Sequence, residues 1–230
     1  MKDLSNLEKK FKIKFNDIDL LKQSLVHRSY INENPSFRLD HNERLEFLGD
    51  AVLELIITEH LYKNYSNPEG ELTNWRASLV NSNMLAKLAK KLDLEDYLYL
   101  SKGEAKDSNS KARHYILANA FEAVIGAIYL DQGLKASKSF IKDNVIPELP
   151  HILSNQLYLD PKSKFQEIAQ EKSKITPTYK VLKETGPDHN KKFQVGVYLD
   201  KELIATSTGF SKQEAQVKAA ERALSKKKWS

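Results

Sequence analysis

The chain has 230 residues, 40% of them apolar, which is enough for one large domain or two smaller ones with real cores. It contains no cysteine, which excludes disulfides and thiolate metal sites, and nothing in it asks for an oxidising compartment, so the cytoplasm is the expected location. The net charge of +5 lies wholly in the C-terminal third, where residues 160–230 hold 15 Lys/Arg against 9 Asp/Glu, while residues 1–159 hold 21 against 22; such a balance fits a polyanion-binding module or a merely solubilising surface.

The first fourteen residues mix Lys with Asp and Glu and lack the apolar run of a secretory signal. The longest apolar window, residues 115–130, carries Asn119 and Glu122 and is too short to span a bilayer comfortably, so no membrane role is expected. From residue 6 to about 150, apolar residues recur at helical spacing, as in Leu20, Leu21 and Leu25 and again in Met84, Leu85, Leu88, Ala89 and Leu92. Breaks fall at 32–39, 66–70 and 106–113, each rich in Asn, Ser, Pro or charge. Residues 1–150 therefore read as an all-α domain.

Residues 151–159, beyond Pro147 and Pro150, have no strong pattern and read as a linker. Asp160 followed by Pro161 then opens a helix, since Asp caps exposed N–H groups and Pro suits the first helical position. Residues 178–183, 193–199 and 202–208 are β-branched or aromatic and partly alternating, with a tight turn at Asp200-Lys201 and a longer loop over 186–190. Ser211 and Glu214 have capping-box spacing and start a last amphipathic helix. Residues 160–230 thus form a small α+β domain of order α-β-β-β-α.

Within the helical part, Glu43, Glu46, Asp50 and Glu54 are spaced by three, four and four, which puts four carboxylates on one stripe, while Leu45, Leu48, Val52 and Leu55 form another that can be buried. Like charges so placed weaken a helix unless a cation sits among them, and a plain solvated acidic face is the competing reading. Glu122 is the only charged residue between 115 and 130, so it is expected to be buried and to be protonated, paired with a base such as Arg44 or Arg76, or bound to a metal. Asn119, one turn earlier, adds an oxygen on the same side. If two helices bring Glu46, Asp50, Asn119 and Glu122 together, the result is an all-oxygen site without His or Cys, suited to Mg²⁺ or Mn²⁺ and to phosphodiester chemistry. The other histidines, His27, His41, His60, His114 and His151, lack metal-ligand spacing.

Residues 42–50 read Asn-Glu-Arg-Leu-Glu-Phe-Leu-Gly-Asp, and at this nine-residue segment the chain resembles ribonuclease III. The resemblance continues through Pro68-Glu-Gly-Glu-Leu72, Arg76-Ala-Ser-Leu-Val80, Gly103-Glu104 and the segment from Phe121 to Asp131. The C-terminal part resembles the double-stranded-RNA-binding domain at residues 160–167, at Pro177-Thr-Tyr179, at Gly186-Pro-Asp-His189 and at Ser211-Lys-Gln-Glu-Ala215.

The resemblance implies an endoribonuclease that cleaves double-stranded RNA with Mg²⁺, Mn²⁺ being able to substitute, and needs no small-molecule cofactor. It implies 5′-phosphate and 3′-hydroxyl ends, with ribosomal and messenger RNA precursors as substrates. Glu46 and Glu122 become metal ligands with Asn119 beside them, Asp50 positions or activates the attacking water, and Glu43 makes a secondary contact. Phe47 faces the partner subunit of a homodimer. Ser163, Gln166, Glu167 and Gln170 are expected at one minor groove, His189 at the next, and Ser211, Lys212 and Gln213 at the phosphates between. Asn119 departs from the family, which has aspartate in this Leu-Ala-Asp context. That leaves three readings: a tolerated variant, an introduced substitution, or a chain that binds duplex RNA with weakened or absent cleavage. A hydrolase of small phosphate esters is a further alternative, one that would not need residues 160–230.

Overall fold

A computed structural model describes residues 2–107, 110–187 and 190–229. The chain divides into two compact units, Met1–Tyr158 and Leu159–Ser230.

The first unit is helical: α1 Ser5–Phe11, α2 Ile18–Ser24, α3 Arg28–Glu33, α4 Glu43–Asn64, α5 Glu69–Val80, α6 Ser82–Lys91, α7 Lys102–Lys106, α8 Lys111–Asn144 and α9 Leu149–Ser154, with short 3₁₀ turns at Leu94–Tyr97 and Ile146–Glu148. Side chains that accept backbone N–H groups set several starting points: Asp17 before α2, Asn81 before α6, Ser101 before α7 and Ser110 before α8. Gly133, at φ +75°, breaks α8 into two helical stretches.

The core forms where α4 crosses α8, with Leu45, Leu53, Ile57 and Leu61 meeting Phe121, Val124, Ile125 and Ile128. Leu85 and Leu88 of α6 and Leu7 and Phe11 of α1 join it. Each such side chain contributes about 1.5–3 kcal/mol on burial. The expected apolar stripe of α4 needs one correction, because Leu55 is 58% exposed and Leu48 only half-buried. The crossing with α8 lies at Gly49, so the buried face centres on the row of Gly49, Leu53 and Ile57, one row round from Leu48 and Leu55. Of residues 151–159, His151 to Ser154 are helical, Ile152 lies in the core, and Tyr158 packs edge-on against Trp75.

In the second unit, Asp160 caps α10 Pro161–Ser173 by accepting the Lys162 and Ser163 N–H groups at 3.1 Å each. Three antiparallel strands follow in the order β1-β2-β3, namely β1 Thr178–Thr185, β2 Lys192–Leu199 and β3 Glu202–Gly209, and then α11 Lys212–Lys227. Asp200, at φ +53°, makes the tight turn between β2 and β3. Phe165 and Ala169 of α10, Val197, Leu199 and Ile204 of the sheet, and Ala219, Ala220 and Ala223 of α11 form a separate core. Small alanines let α11 lie close on the sheet. The architecture is an all-α domain followed by an α-β-β-β-α domain.

Candidate active site

The acidic site is built by backbone proximity. A Cβ added at Gly49 would stand 1.8 Å from the carbonyl oxygen of Glu122, and one added at Gly126 would stand 2.2 Å from the carbonyl oxygen of Leu45. Helices α4 and α8 therefore touch main chain to main chain, and only glycine fits at the contact. On α4, Glu46 stands one turn before Gly49 and Asp50 directly follows it; one turn before Gly126 on α8 stands Glu122, with Asn119 three residues earlier.

Their electrostatics show that these side chains share one field. Burial, first, and then the Asp50 and Glu46 charges push the Glu122 carboxyl up to about 8. Burial and the Glu43 and Asp50 charges raise the Glu46 carboxyl, while a hydrogen bond from the Asn119 side chain pulls it back. Among the described residues Glu122 forms no ion pair; Arg76 donates instead to the Thr58 hydroxyl at 3.0 Å. The structural-pair explanation for Glu122 thus loses its support. Asp50 is exposed at the edge of the site.

Glu43 also stands at the rim, 3.6 Å from Arg28 and 3.8 Å from His41. Glu54, exposed farther along the helix, is not among the groups acting on Glu122, so the four-carboxylate stripe reduces to Glu43, Glu46 and Asp50 plus Glu122 from the second helix. Phe47 is 82% exposed.

An oxygen-only donor set carrying a partly buried, unpaired carboxylate fits a hard divalent cation. Among the described residues, however, no three His, Asp or Glu side chains stand close enough together to hold an ion by themselves. Any coordination shell at the crossing would therefore need oxygens beyond these side chains, such as those of a phosphate or water.

In the second unit Ser163, Gln166, Glu167 and Gln170 are exposed along α10, where the Gln170 amide donates to the Thr176 hydroxyl at 3.1 Å. Ser211 accepts the Glu214 N–H at 3.1 Å, and the Glu214 carboxylate accepts the Phe210 N–H at 2.7 Å, closing the cap of α11. Lys212 and Gln213 are exposed on its first turn, Lys212 lying 3.5 Å from Glu184 and over the Phe193 ring. His189 lies outside the described residues. Gly49 and Gly126 are the site residues that the sequence reading missed; the available signal was a glycine inside each of two long helical runs. No helix among the described residues is long and apolar enough to cross a membrane.

The ribonuclease-III-like family model matches residues 17–149, and the double-stranded RNA binding motif matches residues 161–227. The chain is 43% identical over 222 residues to Ribonuclease 3 of Enterococcus faecalis, covering 96% of this chain and 95% of that protein. It is 45% identical over 225 residues to Ribonuclease 3 of Nitratiruptor, covering 97% and 96%. The solved nuclease domain of ribonuclease III from Campylobacter jejuni, described for flexibility in a region involved in dimer formation, superposes with a TM-score of 0.57 at 37% identity, covering 64% of this chain and 99% of that one.

Proposed function

The chain belongs to the ribonuclease III family of endoribonucleases, and on that premise we propose that it hydrolyses double-stranded RNA at the crossing of α4 and α8, leaving 5′-phosphate and 3′-hydroxyl ends. The observation that carries this reading is Glu122: a half-buried carboxyl that forms no ion pair among the described residues, pushed up to about 8, facing Glu46 and Asp50. A protein tolerates such a group where a cation is to be held.

Glu46, Asn119 and Glu122 would hold Mg²⁺, or Mn²⁺ in its place. When bound, the ion supplies Lewis acidity that offsets charge on the phosphate and on the departing 3′ oxygen. Asp50, exposed beside the site, orients the attacking water and accepts its proton; the water oxygen bonds to phosphorus as the bond to O3′ breaks, and O3′ takes up a proton from solvent water to leave as the hydroxyl. Glu43, already tied to Arg28, orders the rim where RNA enters.

The second unit holds the duplex. Ser163, Gln166, Glu167 and Gln170 offer donors and acceptors to 2′-hydroxyls, and the capped first turn of α11, with Lys212 and Gln213, faces phosphates; His189 is assigned to the neighbouring minor groove. A homodimer would cover the exposed row of Phe47, Leu55 and Tyr62 on α4, which are 82%, 58% and 80% exposed. Ribosomal and messenger RNA precursors in the cytoplasm are the proposed substrates.

One observation favours a second reading, duplex binding without cleavage. Asn119 donates to Glu46 where a carboxylate would have added negative charge, so the site holds a cation less strongly. Incubation with a long RNA duplex over a range of Mg²⁺ and Mn²⁺ concentrations decides between them: cleavage to 5′-phosphate ends is expected. Absence of cutting by both the unsubstituted chain and Asn119→Asp at every concentration overturns the enzymatic reading in favour of the second.

A further inference from the structure

Between β3 and α11 stands Phe210, 61% exposed and the most exposed large apolar side chain among the described residues of the second unit. Its backbone is held on both sides. Gly209, opposite Phe193 in the ladder with β2, packs so closely on the first turn of α11 that an added Cβ would stand 2.7 Å from the Ala215 nitrogen. The Phe210 N–H donates to the Glu214 carboxylate at 2.7 Å, and the Ser211 hydroxyl accepts the Glu214 N–H at 3.1 Å. The ring is thus presented on a fixed main chain with two side-chain torsions left to order, so covering it costs little conformational entropy.

Cations surround it. The Lys192 ammonium stands 5.3 Å from the Phe210 ring centroid, and the Lys212 ammonium 5.5 Å from that of Phe193. Glu184 lies 3.7 Å from Lys191 and 3.5 Å from Lys212, and Glu214 accepts from Lys218 at 2.7 Å, so four lysines share this corner with two carboxylates. An apolar protein surface laid on the ring would strip water from these ammonium groups without replacing it. A nucleotide meets both needs at once, because a base offers a flat face to the ring while the adjoining phosphates offer oxygens to the lysines. Within a continuous duplex each base is covered on both faces by its neighbours. An unpaired nucleotide, at a bulge, an internal loop or a strand end, has a face free to stack.

We infer that Phe210 is a specificity-determining residue that stacks on an unpaired nucleotide of the bound RNA, so that the second unit favours a duplex interrupted at one place over a uniformly paired one. The inference rests on the reading of the second unit as the part that holds duplex RNA. To the recognition of duplex shape it adds a preference for where along a structured RNA the chain settles.

The test measures binding by the full chain without divalent metal, so that no RNA is cut. The probes are a uniform duplex of about 20 base pairs, slightly longer than the ~16 that such a domain spans, and the same duplex with a single unpaired adenosine moved along one strand. The unsubstituted chain prefers the bulged duplex about tenfold at one bulge position, within the range that base–aromatic stacking supplies. Phe210→Ser removes that preference and leaves the affinity for the uniform duplex within about twofold, while Phe210→Trp keeps the preference. A 2-aminopurine placed at the same bulge is dimmed by stacking in the complex with the unsubstituted chain and stays brighter with Phe210→Ser. Equal affinity for every probe, a preference that survives Phe210→Ser, or an equal loss on uniform and bulged duplexes overturns the inference. So does a changed sedimentation coefficient of the free Phe210→Ser protein with no change in RNA preference, since the ring would then be covered by a second copy. A bulge preference in a chain that never cuts sinks the enzymatic reading alone. Failure to bind any duplex sinks the reading of the second unit, and this inference with it.

Discussion

The crossing of α4 with α8 and the outer surface of α10 and α11 are both assigned to RNA, yet they carry their assignments in opposite ways. At the crossing, the acidic residues conflict with stability: a half-buried carboxyl is pushed up to about 8 by its neighbours, and two helices approach so closely that no side chain fits between them. On α10 and α11, by contrast, Ser163, Gln166, Lys212 and Gln213 stand exposed on helices whose starts are capped by Asp160 and Ser211, with an ordinary core beneath. A site proposed to hold an ion leaves an energetic mark in the fold, whereas a surface proposed to read the shape of a duplex need leave none.

The sharpest way to break this comparison is Glu122→Gln. Cleavage is expected to fall about a thousandfold, equivalent to about 4 kcal/mol in the barrier. The same variant should be more stable than the natural chain. Because the folded-state carboxyl is raised, its protonated form favours the fold below pH 4.5, and that contribution is lost as pH rises towards 8. The gain from Gln should therefore be absent near pH 4.5 and reach about 1–2 kcal/mol above pH 8 once solvent screening is allowed for. Thermal unfolding of both chains across pH 4.5–9 checks the sign, and equal slopes would show that Glu122 is not strained.

Gly49→Ala tests the crossing itself. With the new methyl driven into the Glu122 carbonyl, denaturant unfolding should show a loss of about 3 kcal/mol or more. Ser163→Ala/Gln166→Ala should behave in the opposite way, lowering duplex affinity about tenfold through two lost hydrogen bonds while leaving the melting temperature within about 1 °C. A matching loss of stability would mean that this surface is not separable from its fold. The smallest effect is reserved for Asn119→Asp, which should lower the Mg²⁺ concentration for half-maximal cleavage several-fold by restoring charge at the ion, read from a metal titration at fixed pH.

Much of the fold was legible because its signals are local. Helical periodicity fixed the first unit, Asp160-Pro161 and Ser211 with Glu214 marked real helix starts, and the three strands were displaced from expectation only by a residue or two at their ends. The nine residues from Asn42 to Asp50 identified the acidic helix, and the isolation of Glu122 among apolar residues signalled its partner. What escaped was the manner of contact. Leu55 looks like core by spacing, yet the buried row is set by where α8 lands, and that depends on Gly49 meeting Gly126 from 77 residues away.

The contact between Gly49 and Gly126 has a last consequence. Where helices are held apart by side chains, exchanging one hydrophobe for another changes their separation. Here the stop is the peptide unit, whose dimensions are common to all residues, so the gauge between the acidic groups on one helix and those on the other is insulated from repacking around them. Substitutions elsewhere in the core can loosen or tighten the first unit as a whole while these acidic groups keep the same spacing.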